Sequence, residues 1–179
     1  LGLACAAALA AEGVNITLNG RDAAKLHDVV TQMQQQFPAV QVGFIAADLT
    51  SDAQRQRIVA ELPEIDILVT NNAGPQPGAL ADWDEAALRQ AMDANFLPAV
   101  GLIRAWLPGM QARSFGRIVN ITSAMVKSPH YMMGLSTSAR TALTAICKAI
   151  STDVAKDNVT INNLLPERID KPRQELMLQ

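Results

Sequence analysis

Several residue types that mark whole classes of protein are scarce in this chain. It has two cysteines, one tyrosine and 4% aromatic residues in 179 positions. Cys5 and Cys147 each lie in Ala-rich, helix-like surroundings, without paired spacing and with no histidine nearby. They read as buried apolar residues of a reducing compartment; neither a disulfide nor a metal site is expected. Charge of one sign is equally sparse. Fifteen Lys+Arg against 17 Asp+Glu give a net charge of −2, with no basic block, so the electrostatic footprint of a nucleic-acid binder is missing. The longest apolar run, residues 1–11, is too short to span a bilayer and has no charged leader. Nucleic acid and membrane are therefore not expected as partners, and the cytoplasm is the expected location. Asn-x-Thr sequons at Asn15, Asn120 and Asn158 would matter only in a secreted chain.

What remains is a globular composition, 49% hydrophobic and 18% charged. Short β-branched runs alternate with amphipathic ones. Residues 14–18, 40–45, 65–70, 117–122 and 159–165 read as strands; the third is apolar enough to be buried on both faces, as in a parallel sheet. Between them, Asp22 opens a helix with apolar positions at Leu26, Val29, Val30 and Met33, and a polar helix covers 51–62. Asp82 with Glu85 resembles a capping box opening a long segment to about 113, which Pro98 and Pro108 should bend or break. A last, apolar helix covers 138–155. Connections this long exclude hairpins. The pattern predicts a doubly wound α/β domain with a parallel sheet, a single dinucleotide-binding domain over residues 1–179.

The sequence begins at Leu1 and runs at once into a helix, about 5–12, followed by the second strand of such a fold. In the order 3-2-1-4-5-6 the first strand lies centrally, and a chain without it leaves two sheet halves with unpaired inner edges. A preceding strand and a closing C-terminal strand are therefore expected outside this sequence.

Candidate functional residues cluster where open α/β sheets bind ligands, at the carboxyl ends of the strands. Gly2 heads a helix, which favours either an anion or close packing on a strand. Arg21 follows the Asn19-Gly20 turn, where an arginine accommodates a ribose 2′-phosphate or is simply solvated. Asp22 is placed as a helix cap. Asp48 ends the next strand and could accept from an adenine amino group or cap the following helix. Asn71-Asn72-Ala73-Gly74 follows the buried strand; small residues there admit a ligand to the backbone, or build a turn.

The ordered set Gly2, Asn71-Asn72-Ala73-Gly74, Asn95, Ser123, Pro129 and Asn162-Asn163-Leu164-Leu165-Pro166 resembles the short-chain dehydrogenase/reductase family, and its ketoacyl-carrier-protein-reductase-like branch most. The resemblance spans about residues 1–170. It implies binding of a nicotinamide dinucleotide, with Gly2, Asn71, Asn72, Ala73, Gly74 and Pro166 at the coenzyme, and hydride transfer on a carbonyl or alcohol. Together with Arg21 it implies NADP(H) rather than NAD(H). It also implies a homodimer or homotetramer, consistent with the apolar excess of Trp106, Leu107, Leu143, Ile146 and Ile150.

The family's catalytic set is Asn, Ser, Tyr and a Lys four residues after the Tyr. Asn95 and Ser123 match the first two. Thirteen residues after Ser123, in the Tyr position, stands Ser136, and four further on, in the Lys position, stands Arg140. A phenol with pKa near ~10 is a far better acid than an aliphatic hydroxyl, and losing general acid–base help costs ~10²–10⁴-fold in rate. Tyr131 substitutes as the acid only if residues 125–134 fold back over the site, with Lys127 and His130 as further candidates. Pro166-Glu167-Arg168 replaces the usual Pro-Gly, and Glu167 and Arg168 would contact a substrate or pair with each other. Two functions follow: an NADP(H)-dependent oxidoreductase in which Ser136 and Arg140 replace the Tyr/Lys pair, or a catalytically impaired nucleotide-binding protein acting as a sensor or assembly subunit.

Overall fold

Ala-rich residues wind directly into α1 (Gly2–Ala11), and the chain leaves it through Gly13, whose φ of 82° favours glycine. The computed structural model describes residues 1–167 and divides into two compact units, Leu1–Ile65 and the residues from Asp66 onward. Arg168 and the expected closing strand lie outside the described residues.

In the first unit, β1 (Ile16–Gly20) pairs in parallel with β2 (Val42–Ala46) in the register Ile16↔Val42 to Gly20↔Ala46. Asn19 and Gly20, expected as a turn, extend the strand instead, because the Asn19 amide donates to the carbonyls of Ile45 and Ala47. Helix α2 (Ala23–Gln36) is capped by Asp22, which accepts from the Lys25 amide at 3.1 Å. Its stripe buries Val30 and Met33 against Ala6, Ala10, Ile16, Val40 and Val42. Each such burial contributes about 1.5–3 kcal/mol, more than the ~0.7 kcal/mol spread of ordinary helix propensities, so the stripe decides the element. Ser51 caps α3 (Asp52–Glu61).

In the second unit, β3 (Ile67–Thr70), β4 (Gly116–Ile121) and β5 (Val159–Leu164) form a parallel sheet in that order. The two sheets thus carry the groupings expected from the pattern, strands two and three together and strands four to six together. The segment from 85 to 112 is two helices, α4 (Glu85–Asn95) and α5 (Leu97–Ala112), separated at Phe96 just before Pro98. Pro108 does not break α5. It sits on the exposed side near the helix end, where water can take the carbonyl that its missing N–H leaves.

The cap of α4 also differs from expectation. Asp84 accepts from the Ala87 amide at 2.7 Å, whereas Asp82 closes a short 3₁₀ turn (Leu80–Asp82) by accepting from Ala79 N at 2.8 Å. Helix α6 (Gly134–Val154) begins four residues earlier than its apolar stripe suggested. Trp106 and Leu143 are buried within this unit and are not surplus apolar surface; Ile146 is exposed. Cys147 is fully buried, but Cys5 is only half-buried, contrary to expectation. Among the described residues no helix is long and apolar enough to cross a membrane.

The caps give a direct test. Asp84→Ala should lower stability by about 1 kcal/mol in urea denaturation, while Asp82→Ala leaves the α4 amides protected from exchange. Equal effects of the two would contradict this assignment.

Candidate active site

In the first unit Gly2 is the first residue of α1, with no side chain capping that end. Arg21 is exposed immediately after β1, and Asp48 is half-buried after β2. Asp48 does not cap α3. Its Oδ1 accepts from the Thr50 amide and hydroxyl at 2.9 and 2.8 Å, and those bonds, aided by the Arg21 charge, hold its carboxyl below the usual carboxylate range.

In the second unit the strand ends carry Asn71, Asn72, Ala73 and Gly74 after β3, Ser123 after β4 and Pro166 after β5. Several of these meet. The Asn72 amide donates to Ala94 O at 2.7 Å, tying the β3 end to the last turn of α4, where Asn95 is buried. The Pro166 carbonyl accepts from Ala124 N at 3.0 Å, beside Ser123. Ser123 Oγ accepts from Met125 N at 3.2 Å and so caps a 3₁₀ turn.

The early start of α6 puts Ser136 and Arg140 one turn apart on a single helix face. Arg140 Nε donates to Ser136 Oγ at 3.1 Å, Nη1 to the carbonyls of Ile121 and Thr122 at 2.8 and 3.2 Å, and Nη2 to Asn72 O at 3.1 Å. Gly74 lies over this pair: a Cβ there would stand 3.1 Å from Ser136 Oγ and 3.7 Å from Nη2. A side chain at this position would press on the Ser136 hydroxyl.

Asn95 Nδ2 contacts Ala91 O at 3.5 Å, while its Oδ1 is buried without a partner. An orphaned carbonyl oxygen of this kind costs about 1–3 kcal/mol, which a bound water or ligand would recover. Tyr131 is 76% exposed with its ring tilted on His130, so its phenol faces solvent; Lys127 and His130 are also exposed.

Two features escaped the sequence. The first is a buried polar ladder under the site: Thr70 Oγ1 donates to Asn120 Oδ1 at 2.7 Å, and Asn120 Nδ2 lies 3.2 Å from both Asn163 Oδ1 and Cys147 Sγ. Thr70, Asn120 and Asn163 are register partners on the three strands. A lone Asn inside the apolar run of β4 was the available signal. Burial pushes the Cys147 thiol up to about 11, which keeps it protonated and unreactive at neutral pH. The second is Trp83, whose ring lies over Gly134 at the head of α6, where any Cβ would collide with it.

The family model of the short chain dehydrogenase matches residues 1–176. The chain belongs to that family. It is 30% identical over 182 residues to the D-beta-hydroxybutyrate dehydrogenase of Rhizobium meliloti strain 1021, covering 98% of this chain and 69% of that one. Among solved structures, a protein assigned only provisionally as a betaketoacyl-ACP reductase superposes with a TM-score of 0.85 at 28% identity, over 97% of this chain and 72% of that one. The L-sorbose reductase of Gluconobacter frateurii, complexed with NADPH and L-sorbose, superposes with a TM-score of 0.88 at 27% identity, over 99% and 71%. This family member spans only 63% and 75% of the length of two further curated relatives.

Asn120→Ala should lower stability by about 1–3 kcal/mol for each buried group it leaves unpaired, measured by urea denaturation. A neutral effect would show that the ladder carries no net stabilisation.

Proposed function

We propose that this chain is the coenzyme-binding part of an NADP(H)-dependent oxidoreductase acting on a small carbonyl or alcohol. The observation that carries the proposal is the convergence, within one unit, of Ser136, Arg140, Asn72 and Gly74 at the strand ends, in a member of a dehydrogenase family. The residues present fit a nicotinamide nucleotide: Asn95 Oδ1 is an unpartnered buried acceptor, and Gly74 puts no side chain over Ser136 Oγ. When bound, the nucleotide supplies or takes up the hydride.

The chain's own residues have the following roles in this proposal. Ser123 and Ser136 hydrogen-bond the substrate oxygen. Asn95 Oδ1 holds a water. In the second unit, Asn71, Asn72, Ala73, Gly74 and Pro166 would contact the nicotinamide; in the first unit, Gly2, Arg21 and Asp48 would contact the adenosine. Arg21 favours the 2′-phosphorylated coenzyme because an exposed guanidinium gives charge-assisted bonds to phosphate. The NADPH seen with the L-sorbose reductase supports that preference by analogy. Assembly as a homodimer or homotetramer belongs to the same proposal, supported by Leu97 and Ile146, which stay exposed on α5 and α6.

A second function is favoured by one specific observation. The Tyr position holds an aliphatic hydroxyl, and the chain's one phenol faces solvent. A nucleotide-binding protein that no longer turns over substrate would keep the coenzyme contacts and lose only proton transfer. A panel of small ketones and ketoacyl thioesters, followed at the coenzyme absorbance, separates the two: turnover supports the oxidoreductase, and coenzyme binding without turnover supports the sensor or assembly subunit.

Two substitutions test the roles. Arg21→Gln should weaken NADPH binding at least tenfold by titration calorimetry and leave NADH unchanged; equal losses would refute the phosphate contact. Ser136→Tyr, with Arg140 kept, should raise turnover by roughly 10²-fold or more if proton transfer limits the rate. An unchanged rate would mean that the limitation lies elsewhere.

A further inference from the structure

Arg140 stands where the family places a coenzyme-facing lysine, yet its guanidinium is directed at the protein. Its donors reach Ser136 Oγ on α6, the carbonyls of Ile121 and Thr122 at the end of β4, and the carbonyl of Asn72 beyond β3. From these contacts we infer that Arg140 is a positioning residue: it ties the ends of β3 and β4 to α6 and holds Ser136 Oγ as an acceptor, leaving the Ser136 proton for a bound oxygen.

Three physical points support this. Carbonyls at the end of a sheet need donors, and a cation provides bonds about twice as strong as neutral ones. A planar fork spreads its donors over several directions, whereas an ammonium is a point charge on a flexible stem; one lysine could not meet carbonyls on two strands and a hydroxyl in the same geometry. Finally, an oxygen that accepts from Nε directs its own hydrogen elsewhere, and the Cβ-free side of Gly74 adjoins that oxygen. The last clause of the inference rests on the oxidoreductase proposal; the tie itself does not.

The test uses the whole chain without nucleotide. The amides of Thr122 and Ala124, bonded to Leu164 O and Pro166 O, report on the β4 end. In both Arg140→Gln and Arg140→Lys they should exchange at least tenfold faster than in the unmutated chain, while Ile118 and Val119 in mid-strand keep their rates. Ser136→Ala should shift the Arg140 Nε–H resonance, a signature that a purely structural role for the helix would not produce. Unchanged exchange in the Lys variant, or an Nε–H signal indifferent to Ser136→Ala, overturns the inference. If the Gln variant does not fold, the Lys variant and the resonance decide. Failure of the oxidoreductase proposal is distinguishable, because it appears as no turnover of the ketone and ketoacyl thioester panel by the unmutated chain, with the exchange results unaffected.

Discussion

A guanidinium held by backbone carbonyls is the constraint on which the second unit's site depends. Strand ends in an open parallel sheet expose carbonyls with no ladder partner ahead of them, and loops leaving them are free to diverge. Arg140 gathers the ends of β3 and β4 onto one helix face, where Ser136 is its neighbour. Beneath this contact the Thr70–Asn120–Asn163 ladder joins the same strands through side chains. The upper tie joins the strand ends, and the lower one joins residues that are register partners. Both are polar and partly or fully buried, so each is stabilising only while every member stays paired.

The replacement of a phenol and an ammonium by a hydroxyl and a guanidinium alters chemistry more than binding. The hydroxyl can still donate a hydrogen bond to an oxygen in the site, and the strand-end backbone can still pack on a planar ring. What weakens is proton donation. A serine in contact with a permanent cation remains a poor acid, and the loss lies on the scale of ~10²–10⁴ in rate. In the proposed function a site so composed would keep its coenzyme contacts and lower turnover, so the oxidoreductase and the non-catalytic binder share their proposed contacts and differ in proton transfer.

Much of the fold was legible because it follows from local rules. Asp22 and Ser51 cap the helices they were expected to open or precede, and the Leu26–Met33 stripe buries the face its period demanded. The capping error at Asp82 came from two acidic residues two positions apart. Both accept backbone amides; Asp82 is used up in closing the 3₁₀ turn that ends at it, which leaves Asp84 to begin the helix. Pro108 leaves α5 unbroken because its cost depends on solvent at Arg104 O, which sequence does not display. The site was legible as a set of residues at strand ends but not as a network. Spacing placed Ser136 and Arg140 on one face; it could not reveal that the guanidinium turns toward three carbonyls. Asn120 was missed for the same reason, since its partners come from strands and a helix distant in sequence.

The most direct measurement is a crystal structure of this chain grown with NADPH. The account predicts that the Arg140 guanidinium keeps its bonds to Asn72, Ile121 and Thr122 while the nicotinamide ring lies beside Gly74 and Ser136. A guanidinium swung off those carbonyls onto the ribose hydroxyls would contradict it.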